Sequence, residues 1–192
     1  VCSSDLVYLK PEDNGGIKGQ TQGEKAGYAW ASDWRRFANA RTVYVTDSPV
    51  AALAIESCGL PGVFVLASRG LEGVRTVDWS FLRGRQVVGC FPNDAPDARG
   101  YCPGLSAFWQ LHETLTGHDI SCLMVDQAGW LDDDDAPIFT VQELLAMKGV
   151  EETAKALRKL QDWLIPGMVA DDKRQGKPRL FLPHHDYMTY WR

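Results

Sequence analysis

The chain is 192 residues long, 45% hydrophobic and 23% charged, a balance that supports one compact domain with appendages and excludes disordered, collagen-like and coiled-coil classes. A net charge of -5 argues against non-specific polyanion binding over the whole surface, while leaving room for a local basic patch. The longest apolar stretches, such as Val43 to Val45 and Gly62 to Ala67, are far shorter than the roughly 20 residues of a membrane helix, and no segment has signal-peptide architecture. A cytoplasmic protein without membrane contact is expected.

The opening residues Val1 to Leu6 can be encoded by the end of a common sequencing adaptor, so residues 1–6 are expected to be a non-native leader. The C-terminal Tyr190-Trp191-Arg192 has neither a helix stop nor a polar tail, and a further unit is expected beyond it. Cys2, Cys58, Cys90, Cys102 and Cys122 include no CxxC pair and are expected to be reduced thiols. Adjacent His184 and His185 are poor geometry for zinc.

In chain order, Val7-Tyr8-Leu9 is a strand candidate, and Asn14-Gly15-Gly16 in the segment after it signals a hairpin or loop. Ser32 or Asp33 caps a short helix with Trp34, Phe37 and Ala38. Thr42 to Thr46 is a β-branched and aromatic strand ending at Asp47, after which Ser48 caps and Pro49 starts an Ala-rich helix closed by Gly59. Further strands are expected at Gly62 to Ala67, Gln86 to Phe91 and Asp119 to Val125, and helices at Pro103 to Leu115, Thr140 to Met147 and Val150 to Trp163. Near-continuous apolar strands alternating with helices predict an α/β, Rossmann-like fold with a mainly parallel four-stranded sheet flanked by helices. The expected organisation is an N-terminal hairpin and helix extension over 7–40, the α/β domain over 41–148, a C-terminal helix over 149–170, and a linker leading to a further unit over 171–192.

In an open parallel sheet, ligands bind beyond the carboxyl ends of the strands. Asp47, then Asp94 and Asp97, then the Asp132 to Asp135 run fall there. Carboxylates converging on one spot suit a hard cation that keeps waters and phosphate in its shell, the outline of phosphoryl-transfer chemistry. The same residues also serve as ordinary helix caps and solvated acidic faces. Arg69 and Arg99 lie in strand-end loops where a phosphate would meet them. No nucleophile elbow, Walker loop or dinucleotide fingerprint follows any strand.

Several segments carry a resemblance. Val43 to Leu53, a strand running into an acid and an Ala-Leu helix, resembles the first motif of the Toprim domain of primases, topoisomerases and related nucleases. Val87 to Asp94 is similar to its second motif, and Thr140 to Leu145 to the acidic stretch found in primase-like proteins of plasmids and integrative elements. Gly100 to Leu105, Trp163 to Gly167 and Phe181 to Asp186 also resemble segments of that group. The resemblance implies an acid-base role for Asp47, magnesium ligation through Asp94 and Asp97, a further acidic position at Glu143, and DNA as partner, including single strands, beside neighbouring domains of a larger polypeptide. Arg69, Arg99, Lys173 and Arg174 are the candidate nucleic-acid or phosphate contacts.

The departures from the pattern shape the functional expectation. The first acid is Asp47 where the family has glutamate, a methylene shorter, and misplacing a catalytic group by about 1 Å costs on the order of a hundredfold in rate. Ala51 stands where that helix usually carries an aspartate, Phe91 or Pro92 where the second motif has its first acid, and Thr140 where the third has an aspartate. A mobile-element primase-like protein with weakened or lost metal-dependent phosphoryl transfer is expected. A non-catalytic module that binds nucleic acid or a partner, an active magnesium-dependent nuclease and an unrelated enzyme for a small phosphorylated substrate are the alternatives.

Overall fold

A computed structural model describes the backbone of residues 7–11, 17–21, 27–93, 102–161, 170–172 and 177–179, with side chains over 27–93 and 102–161. Strands β1 (Val7–Pro11) and β2 (Ile17–Thr21) pair antiparallel, and the Asn14-Gly15-Gly16 turn signal lies outside the described residues. The central sheet contains β3 (Thr42–Thr46), β4 (Val63–Ala67), β5 (Gln86–Gly89), β6 (Cys122–Val125) and β7 (Leu160–Gln161) in the order β4-β3-β5-β6-β7. The first four run parallel, and β7 is antiparallel to β6. The expectation of a mainly parallel α/β sheet holds, with five strands rather than four.

Among the described residues three α-helices flank the sheet. Helix α1 (Pro49–Ser57) starts where Ser48 Oγ accepts from the N–H of Ala51 at 3.2 Å, and Pro49 occupies the first turn, where no N–H is needed. Helix α2 (Pro103–Thr116) follows β5, and α3 (Val141–Leu157) follows β6. Gly149, at φ 75° and ψ 176°, breaks α3 into the two helical pieces expected on either side of it. The second piece stops at Leu157 instead of reaching Trp163. Leu160 and Gln161 turn into β7, whose two residues pair with Val125 and Met124. Ala170–Asp172 and Lys177–Arg179, in the stretch read as a flexible linker to a further unit, form a short antiparallel pair, β8 and β9. The crossover from β4 to β5 uses two 3-10 turns, Leu71–Arg75 and Trp79–Leu82.

Strand alternation divides the core into two layers. Val43, Val45, Phe64, Leu66, Val87 and Met124 face one layer with Trp79, Phe108, Leu111 and Leu115. Tyr44, Val65, Val88 and Val125 face the other with Ala52, Ile55, Leu144 and Leu157. Tyr44 anchors the second layer by donating its hydroxyl to the Leu157 carbonyl at 2.8 Å. Among the described residues no helix is long and apolar enough to cross a membrane.

Candidate functional site

All four parallel strands end at one edge of the sheet, so the residue after each is delivered to a common rim. Asp47 follows β3, Ser68 and Arg69 follow β4, Cys90 to Asn93 follow β5, and Asp126 and Gln127 follow β6. Pairing places β3 between β4 and β5, with Thr46 beside Ala67 and Val45 beside Gly89. The Cys90 N–H continues that ladder by donating to the Val45 carbonyl at 2.9 Å. Asp47 and the segment that leads into Asp94 therefore leave adjacent parallel strands in the same direction.

The loop after β4 is bound to the loop after β3. Ser68, buried, donates its N–H to the Thr46 carbonyl at 2.9 Å, and its hydroxyl lies 3.1 Å from that carbonyl and 2.9 Å from the carbonyl of Gly70. The Gly70 N–H donates to the Asp47 carbonyl. The Thr46 hydroxyl donates to Asp47 Oδ1 at 3.1 Å, which orients the carboxylate. Arg69, between them, has φ 62°, a left-handed backbone that arginine seldom adopts. Burial holds its guanidinium below the ordinary arginine range. The half-buried cation thus shares this rim with Asp47.

On the next strand the chemistry changes. Cys90 and Phe91 are buried, and Pro92 has no side-chain donor or acceptor. Burial, then the charge of Asp47, pushes the Cys90 thiol far above its ordinary range, so it is a neutral thiol at physiological pH. The buried Gln127 crosses from the β6 end to donate its side-chain N–H to the Phe91 carbonyl at 2.9 Å. Asn93 donates its N–H to the Phe139 carbonyl at 2.7 Å, which joins this loop to the start of α3. Gly104, in the first turn of α2, packs so close that a Cβ there would meet the Pro92 carbonyl oxygen at 1.8 Å. Phe91, Pro92, Asn93, Gly104 and Gln127 line a cleft between the ends of β5 and β6 and the start of α2.

Glu143 and Thr140 form a reciprocal cap at the start of α3. Glu143 Oε2 accepts from the N–H groups of Phe139 (3.1 Å) and Thr140 (3.0 Å), and the Thr140 hydroxyl accepts from the Glu143 N–H. The local pattern Thr-x-x-Glu is the sequence signature of that cap. The carboxylate of Glu143 is thereby committed to backbone donors. Asp94, Asp97, Arg99, Lys173 and Arg174 lie outside the described residues. Sequence reasoning overlooked Ser68, Asn93, Asp126 and Gln127, although each stands among the first polar residues beyond an apolar strand.

Magnesium demands several oxygens in near-octahedral array. The carboxylates that directly follow the described parallel strands are Asp47 and Asp126, after β3 and β6, with β5 between them. Two strand spacings separate their backbones by roughly 10 Å, and Asp126 Oδ1 already accepts from the Ala128 N–H at 3.0 Å. Among the described residues no group of three or more His, Cys, Asp or Glu side chains is placed to hold a metal ion. The described donor set does not fit magnesium. The described polar side chains at the rim include the Asp47 carboxylate oriented by Thr46, the half-buried Arg69 guanidinium, and the carboxamides of Asn93 and Gln127, the second of which already donates to Phe91.

No curated protein matches the chain. The family model for the Toprim domain matches residues 42–143, more than half of the sequence and the stretch that runs from the start of β3 to the cap of α3. The chain belongs to the Toprim domain family.

Proposed function

We propose that this chain is the Toprim module of a primase-like DNA replication protein of the plasmid and integrative-element group, and that its strand-end site binds nucleic-acid phosphate with weakened or no metal-dependent phosphoryl transfer. The observation that carries the reading is the apolar end of β5, where the resemblance implies an acid: Cys90, Phe91 and Pro92 supply no side-chain oxygen next to the strand that ends at Asp47. Thr140 supports it further, since a hydroxyl at that cap keeps the helix start that an aspartate would also provide and gives up the charge.

In this reading Asp47 is the remaining acid-base position, Asp94 and Asp97 are the remaining candidates for any cation, and Arg69, Arg99, Lys173 and Arg174 contact phosphate. The module spans 41–148, carries the 7–40 extension and the 149–170 and 171–192 segments as appendages, and works beside neighbouring domains in the cytoplasm. Primer synthesis and strand cleavage assayed with the full chain in millimolar magnesium or manganese test it. Turnover at background, unchanged in Asp47→Ala, is expected. Metal-dependent turnover that Asp47→Ala abolishes would establish the active nuclease or nucleotidyl transferase instead.

A further inference from the structure

At the opposite end of the sheet, where β3 and β5 begin, the structure gathers arginines. Of the eight arginines with described side chains, five fall in two short segments, Arg35, Arg36 and Arg41 before β3 and Arg83 and Arg85 before β5. The segments are fastened together: the Gln86 N–H donates to the Arg41 carbonyl at 3.1 Å, and Arg85 donates to the carbonyl of Ala40. The Arg85 guanidinium also lies 4.1 Å above the ring centre of Phe37. Asp33 pairs with Arg35, Glu56 lies 3.7 Å from Arg36, and Asp78 caps the Trp79–Leu82 turn. The surface remains net positive on a chain whose net charge is negative.

Its floor is aromatic. Phe81 is 38% exposed, and its ring centre lies 5.6 Å from that of Phe37 and 6.0 Å from that of Trp34, both half-buried. Guanidinium groups around an exposed ring supply the two contacts a single strand offers and a duplex hides, backbone phosphate beside an accessible base face. We propose that this edge, remote from Asp47, is a docking surface for single-stranded DNA, with Arg36, Arg41 and Arg83 on phosphates and Phe81 beneath a base. The choice of DNA as the strand rests on the function proposed above; the surface itself does not.

Fluorescence anisotropy of labelled oligothymidylate with the full chain tests this. The triple variant Arg36→Gln, Arg41→Gln, Arg83→Gln should bind at least about tenfold more weakly at low salt and lower the log-log salt slope by about 2, given roughly 0.7 per phosphate contact on single strands. Phe81→Leu, which keeps an apolar side chain in the cluster, should weaken single-strand binding severalfold and leave duplex binding unchanged. The control Lys155→Gln, Arg158→Gln removes positive charge elsewhere and should leave affinity within twofold. Wild-type binding that the triple variant leaves intact overturns the docking surface while the proposed function stands. Absence of wild-type binding to oligothymidylate at low salt overturns both, and binding to oligouridylate alone overturns the assignment to DNA.

Discussion

The N–H of Asn93 donates to the carbonyl of Phe139 at 2.7 Å, so the loop leaving β5 and the cap that opens α3 form one connected piece of backbone. Two segments more than forty residues apart in sequence are thereby held at the rim where Asp47 emerges. That connection makes the cap of α3 a support for the site.

The reciprocal cap has a measurable share in stability. Removing the Glu143 carboxylate in Glu143→Ala leaves the N–H groups of Phe139 and Thr140 without this acceptor, and capping losses of this kind cost about 1 kcal/mol. Thr140→Ala should cost a similar amount, while Thr140→Asp, an equally good cap, should change stability by only a few tenths of a kcal/mol. Urea unfolding midpoints at constant m-value check all three.

Gly104 is the closest backbone approach at the rim. Gly104→Ala places a methyl group 1.8 Å from the Pro92 carbonyl oxygen, and since both partners are backbone, relief requires α2 and the β5 end to separate. Overpacking of this type costs about 1–3 kcal/mol. Thermal unfolding should show it, together with weaker oligonucleotide binding if the displaced Pro92-Asn93 segment carries part of the site.

Arg69 is held in a backbone conformation that glycine adopts freely, at φ 62°. Arg69→Gly removes that strain, on the order of 1 kcal/mol, but also makes the unfolded chain more flexible. The net expectation is unchanged or slightly higher stability with reduced phosphate binding. Calorimetric unfolding and inorganic phosphate or oligonucleotide titration on the same sample separate the two effects. A residue kept for packing alone would lose stability on this change.

Alkaline pH should destabilise the fold in a defined order. Burial raises the thiols of Cys58, Cys90 and Cys122 above their ordinary value of 9.0, Cys122 to about 12, and raises the Tyr44 hydroxyl from 10.0 to about 12. All stay protonated when folded and ionise earlier when unfolded. Their stabilisation is therefore complete below pH 9 and declines as pH rises from 9 toward 12. Tyr44→Phe should flatten the part of that decline above pH 10, while costing about 1–2 kcal/mol at neutral pH through the Leu157 carbonyl left without its donor.

Much of the sheet was legible because its signals are local. The apolar run of β3, the Ser48-Pro49 start of α1 and Gly149 between two helical patterns each state their role within a few residues. The 3-10 turns at Leu71–Arg75 and Trp79–Leu82 carry no periodicity at that length, and β7 exists only because β6 offers an open edge to Leu160 and Gln161. Helical spacing of Leu157, Leu160 and Leu164 concealed that turn. At the site, the motif at Thr140 to Leu145 drew attention to Glu143 as an acid, whereas its Thr-x-x-Glu spacing had already specified a cap. The left-handed backbone of Arg69 and the Gln127 link to Phe91 are tertiary facts with no sequence signature.

The proposed function rests on the reading that the end of β5 supplies little cation-binding power, and manganese binding followed by electron paramagnetic resonance measures that directly. Wild-type protein should retain no stoichiometric manganese at millimolar metal, and the double variant Pro92→Asp, Thr140→Asp, which adds one acid at the end of β5 and one at the cap of α3, should bind more tightly than wild type. Stoichiometric submillimolar binding to the wild-type chain that Asp47→Asn abolishes would contradict it.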